Sequence, residues 1–205
     1  MAGFGIPVPR AVHLLSGKGS PAPARGIDAL RPPLVVKAMI PGVVHKSELG
    51  AVRTGLGSAA DAEAALEEMH ARLSVGANRP AGYLVEEMAE PGVELLLGMT
   101  DDAAFGRLLA FGAGGTGVEA LGEATFFALP LRPADVDSLL AAHSWLEPTL
   151  RRLGPTVTAS VRDAIWKFGG PDGIGLAPRL AHLELNPLIA GCTGVTAVDA
   201  VGELR

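Results

Sequence analysis

Between Pro33 and Pro41 lies LVVKAM, Leu34 to Met39, a run rich in β-branched side chains with a single charge, Lys37, near its middle. Proline at both ends halts a helix, and β-branched residues suit a pleated surface, so the run predicts a short buried strand. Runs of the same kind recur at Gly82 to Met88 (GYLVEEM), Val93 to Met99 (VELLLGM), Arg107 to Phe111, and in LAHLELNPLIA and VTAVDA. AEPG, between the first two of these, is a turn sequence, and GIPVPRAVHLL adds a smaller extended piece near the N-terminus. Ser58 followed by Asp61 and an Ala, Leu, Met pattern to about Leu73 predicts a capped amphipathic helix. Further helical patterns occupy Pro133 to His143 and Val157 to Phe168, with loops at GP and GGPDGIG. Strand, helix, three strands, two helices and two strands make an α+β fold with mostly antiparallel sheets.

With 205 residues, 48% of them hydrophobic, the chain has enough apolar surface for one good core or two small ones. A formal net charge of −5 argues against a surface that neutralises nucleic-acid phosphates over a long footprint. Cys192 is the sole cysteine, so no internal disulfide forms, and the expected compartment is the cytoplasm. MAGFGIPVPR has no basic start and apolar centre of a signal peptide, and no run approaches the roughly 20 apolar residues of a membrane span, so no membrane partner is expected. SGKGS lacks the spacing of a phosphate-binding GxxxxGK[ST] loop.

Charges inside strands need a partner or a wet face, and Lys37, Glu86, Glu94, Glu184 and Asp199 all lie inside or beside apolar runs. Alternation with period two accounts for any one of them as solvated. Together they offer more. Glu184, Asn186 and Asp199 supply three hard oxygen donors, which suits Mg²⁺ carrying waters and a phosphate. Lys37 supplies a compact cation for phosphate oxygens, and Gly112, Gly114, Gly115 and Gly117 allow close backbone approach to an anion. The set reads as a nucleoside triphosphate site. His13, His70, His143 and His182 lack metal-ligand spacing, and they read as structural or surface residues, as Cys192, Trp145 and Trp166 do.

VVKAMIPGVVHKSELGAV, YLVEEMAEPGVELLLGMTDDAAFGRLLAFGAGGTGVE and LELNPLIAGCTGVTAVDA resemble, in this order, the ATP-grasp domain of the ADP-forming acyl-CoA synthetases. That group includes the β subunit of ADP-forming acetyl-CoA synthetase and relatives among succinyl-CoA synthetases. The resemblance implies an ATP-grasp fold of two α+β lobes, near residues 5–100 and 101–205, with ATP or ADP and Mg²⁺ as cofactors. It implies that Lys37 reaches the phosphates, that the backbone of Glu86, Glu87 and Met88 meets the adenine edge, and that Glu94 holds the ribose. It places Gly114, Gly115 and Glu119 in a GGxxVE loop, and Glu184, Asn186 and Asp199 at the metal. His45, in HKS, matches the histidine that approaches or accepts the phosphoryl group, which makes His45, Lys37 and Glu119 the catalytic candidates. The implied reaction transfers a phosphoryl group between ATP and a histidine of a CoA-binding α-type partner, which handles the carboxylic acid and CoA. Glu123 and Phe127 depart from the family pattern of an acid and a base, and Ala51 replaces a glycine. These departures keep open a degenerate module that binds nucleotide and scaffolds or regulates a partner without turnover.

Overall fold

Four short strands and a helix form the first unit of the chain: β1 (Ala11–Leu15), β2 (Leu34–Met39), β3 (Val52–Leu56), α1 (Ala59–Leu73) and β4 (Gly82–Glu87). The strands lie in the order β1-β4-β2-β3, every neighbour antiparallel. Alternation sorts the faces. Leu34, Val36 and Ala38 of β2, with Tyr83 and Val85 of β4, pack on Ala62, Ala65, Leu66 and Met69 of α1, which follow helical spacing. Ser58 caps α1 by accepting the Asp61 N–H at 3.1 Å, as the sequence predicts. Val35, Lys37, Leu84 and Glu86 therefore share the opposite face of the sheet.

This computed structural model describes residues 1–15, 25–42, 49–75, 79–115 and 124–205. The second unit contains β5 (Val93–Asp102), β6 (Gly106–Ala113), β7 (Thr125–Ala128), β8 (Leu180–Gly191), β9 (Gly194–Ala197) and β10 (Ala200–Leu204). Its antiparallel sheet runs β10-β8-β5-β6-β7, with β9 also on β8. Helices α2 (Pro133–Ala142), α3 (Leu146–Leu153) and α4 (Pro155–Gly169) contribute to its core. Val157, Val161, Ala164, Ile165 and Phe168 of α4 join Leu95, Leu97 and Met99 of β5 and Leu183, Leu185 and Leu188 of β8 there. Among the described residues, no helix is long and apolar enough to cross a membrane.

The units are Pro9–Met88 and Met1–Val8 together with Ala89–Arg205. The division falls at Met88, not near residue 100, because β5 pairs with β6 and β8 and so belongs to the second sheet. AEPG thus links strands of different sheets and closes no hairpin. Residues 1–8 also belong to the second unit, where Ile6 is fully buried and Pro7 O accepts the Ala197 N–H at 2.9 Å. VTAVDA, read as one strand, divides into β9 and the start of β10 on either side of Val198 and Asp199. Strands β3 and β7 and helix α3 are additional to the sequence expectation.

Candidate functional site

In the first unit, Lys37 and Glu86 form an ion pair on the face of the sheet opposite α1. Glu86 is buried, its side chain 5% exposed, and Lys37 is partly buried, its side chain 12% exposed. Register explains the meeting, since Lys37 stands opposite Leu84 and Glu86 opposite Val35, one diagonal step apart on a shared face. The Glu86 side chain is therefore a counter-ion for Lys37, a role that was not read from the sequence. Parity on neighbouring strands was the available signal, but it becomes usable only once the register is known.

The next two residues show a second difference from expectation. The Glu87 N–H donates to Arg10 O at 2.9 Å and the Met88 N–H to Pro33 O at 2.8 Å. Glu87 Oε1 accepts the Arg31 N–H at 3.0 Å. The N–H groups of Glu87 and Met88 are thus engaged within the sheet and its flanking segments, while Met88 is exposed.

In the second unit the constellation is built around an irregularity in β8. Leu95 of β5 pairs with Leu188 and Leu97 with Leu185, so Leu96 faces two residues, Asn186 and Pro187. That extra residue is a β-bulge, and Pro187 suits it because proline has no N–H for the ladder. The bulge keeps Leu185 and Leu188 in the core while Glu184 takes the opposite face, across from Gly98. On its other edge β8 pairs with β10 over residues 180–185 and with β9 over residues 188–191, and the gap between them holds Asp199 beside the bulge. Asn186 N–H donates to Asp199 O at 3.2 Å and Val198 N–H to Pro187 O at 3.2 Å. The sequence motif ELNP thus brings Glu184, Asn186 and Asp199 into one neighbourhood.

Asn186 links that neighbourhood to the glycines. Its Nδ2 donates to Glu184 Oε1 at 3.0 Å, and its Oδ1 accepts the Gly115 N–H at 2.8 Å. The Gly114 N–H donates to Glu94 O at 2.9 Å. Both glycine amides therefore have protein acceptors, unlike the free donors expected for an anion. What requires glycine here is crowding: a Cβ on Gly114 would overlap the Leu95 backbone, and one on Gly115, at φ +56°, would overlap Glu94 Oε2. Glu94 consequently lies against the glycine segment. His182, read as a structural residue, has Nε2 3.9 Å from Glu184 Oε2. Its spacing of two from Glu184 on a strand was the missed signal.

Two carboxylates and an amide oxygen are the donor set of a hard divalent cation such as Mg²⁺. The described residues hold no group of three or more His, Cys, Asp or Glu side chains able to ligate a metal, so a site here depends on Asn186 or on water to complete it. The residues present fit Mg²⁺, which usually retains several waters. His45 and Glu119, two of the three catalytic candidates, lie outside the described residues, as does Glu123.

A family model for the ATP-grasp domain matches residues 1–204. The chain belongs to the ATP-grasp family. ADP-forming acetate–CoA ligase I of Archaeoglobus fulgidus is 36% identical over 189 residues, covering 86% of this chain and 27% of that protein. The β subunit of ADP-forming acetate–CoA ligase I of Pyrococcus furiosus is 27% identical, covering 96% of this chain and 84% of the subunit. This ATP-grasp chain thus spans about a quarter of the first relative and most of the second. Among solved structures, acetyl-coenzyme A synthetase 1 of Ca. Korarchaeum cryptofilum with coenzyme A and Ca-AMPCP matches with a TM-score of 0.84 and 31% identity, covering 100% of this chain and 89% of that one. A second structure of that synthetase, with coenzyme A and Mg-AMPPCP and a phosphohistidine segment pointing towards the nucleotide-binding site, matches at 0.77 and 30% identity over 100% and 88% of the two chains. The expected α+β ATP-grasp architecture with mostly antiparallel sheets is the one observed.

Proposed function

We propose that this chain is the nucleotide-binding component of an ADP-forming acyl-CoA synthetase, moving a phosphoryl group between ATP and a histidine of a CoA-binding partner subunit or domain. The observation that carries the reading is the ELNP bulge, which gathers Glu184, Asn186 and Asp199 and ties them to Gly115. A solved relative in complex with coenzyme A and Mg-AMPPCP supports the cofactors, and another relative, named as a β subunit, supports the partner.

In this reading Lys37 neutralises phosphate oxygens, and the ion pair with Glu86 keeps its side chain aimed until nucleotide arrives. Glu94 takes the ribose hydroxyls, and the Glu86–Met88 segment borders the base. Glu184, Asp199 and Asn186 would hold Mg²⁺, which would supply charge to offset that of the phosphates. The family resemblance assigns the phosphoryl-transfer step to His45 and Glu119. The γ-phosphorus leaves the β,γ-bridging oxygen and bonds to an imidazole nitrogen, releasing ADP, and positioning with charge neutralisation does most of the work. The acid and CoA react on the partner.

Phe127, which motivated the degenerate alternative, packs against the apolar core of its unit from β7. Calorimetry of ATP binding with Mg²⁺ tests the proposal, with Lys37→Ala and Asp199→Ala alongside. Binding that falls at least tenfold in both variants is expected. Absence of binding by the parent chain overturns the proposal.

A further inference from the structure

A metal ligand at position 186 needs only an oxygen lone pair, and an aspartate would serve a divalent cation at least as well as an asparagine. Asn186 uses both ends of its amide: Oδ1 accepts from Gly115 with one of its two lone pairs, and Nδ2 donates to Glu184. Turned over, the amide would set NH₂ against a backbone N–H and oxygen against a carboxylate, so the two partners together define its orientation. An aspartate could still accept from Gly115, but it has nothing to donate to Glu184. Gly115 is also held from β5, through the Glu94 carboxylate that lies where a Cβ would be and through the neighbouring Gly114 N–H on Glu94 O.

We propose that Asn186 is a positioning residue that ties Gly115 to Glu184, fixing the glycine segment and the acid of the ELNP motif in register before any ligand binds. The tie stands on the two hydrogen bonds. Its use rests on the nucleotide site proposed above. Glu94, Gly115, Asn186 and Glu184 form one connected set, so a displacement at the acid is felt at the glycine.

Amide hydrogen exchange of the full chain, without nucleotide or metal, tests the tie directly. Asn186→Ala removes the acceptor, and exchange at the Gly115 N–H is expected to rise about tenfold or more, while core amides such as Leu97 keep their protection. Asn186→Asp retains an acceptor for Gly115 but sets a second carboxylate against Glu184, so exchange at Gly115 is expected to rise above the parent yet clearly less than in Asn186→Ala, which separates a specific tie from general damage. Unchanged exchange at Gly115 in Asn186→Ala overturns the proposal, and so does an equal rise in the alanine and aspartate variants. ADP binding in chelator is measured on the same samples. A parent chain that binds no ADP, yet whose Gly115 responds as expected, supports the tie and refutes the nucleotide role of the site.

Discussion

Lys37 and Glu86 show what a buried charge requires. Each is nearly removed from water, and each costs several kcal/mol to bury without an opposite charge beside it. Glu86→Ala is therefore expected to destabilise the first unit by about 1–3 kcal/mol, because it removes the carboxylate that pairs with Lys37. The double variant Lys37→Met with Glu86→Leu is expected to lose less than the sum of its single variants, and urea denaturation of the four proteins measures the difference. His143 makes the complementary case in the second unit. It is buried, with its ring edge-on to Phe111 and Trp145, and Nε2 has no hydrogen-bond partner among the described residues. Burial pushes its pKa below the usual histidine value, partly offset by a hydrogen bond to the Phe111 backbone. Because the folded pKa is the lower one, the unfolded chain takes up a proton first as pH falls. Stability is expected to be full above about pH 6.5 and to decline below it until the folded histidine also titrates. Denaturant midpoints between pH 8 and pH 5 check this, and His143→Phe should flatten that part of the profile.

Arg107, at the start of β6, holds several elements together. Its guanidinium donates to Asp101 on β5 at 2.9 Å, to Gly175 O and Ala177 O at 3.0 Å, and to Leu180 O at 2.7 Å. A lysine cannot span that fork. Arg107→Lys is expected to cost about 2–4 kcal/mol and to raise amide exchange around residues 175–180 before it affects β5. The Asp101 carboxyl is held down to about 2 by hydrogen bonds from Arg107 and then Arg205. The stability it contributes is present above the unfolded value near 4 and is lost as pH falls towards 2. Legibility in the sequence followed element type. LVVKAM and the Ser58-capped helix were readable because apolar spacing and punctuation agreed. VRTGL, an exposed edge strand interrupted by Gly55, and TFFA, only four residues long, carry too little alternation to declare themselves. In α3, Leu146 and Leu150 have helical spacing, but the helix is short and has Pro148 in its first turn. The candidate site divided in the same way. Residue types in ELNP pointed to hard-cation chemistry, whereas the bulge, the Glu86 counter-ion and the engaged amides of Gly115 and Met88 depend on long-range register. No local pattern encodes that register.

At the scale of the molecule, the clearest departure from chain order is the assignment of residues 1–8. They precede the whole first unit yet belong to the second, with Ile6 fully buried in its core, Pro7 O bonded to Ala197 N–H, and Gly5 O accepting from Lys167 at 3.1 Å. The second sheet thus closes its core with a segment that lies more than eighty residues before β5 in sequence, a non-local contact of high entropic cost. That arrangement makes Ile6 a selective probe of the second unit. Ile6→Ala deletes buried methyl and methylene groups and is expected to cost about 2–4 kcal/mol, with the cavity left against the core of that unit. Native-state hydrogen exchange reads where the loss falls. Amides of β5 and β8 should lose protection by a factor corresponding to that cost, whereas those of β2 and β4 should change little. Equal loss in both sheets would mean that the units unfold as one cooperative body, and that the division at Met88 is architectural without being energetic.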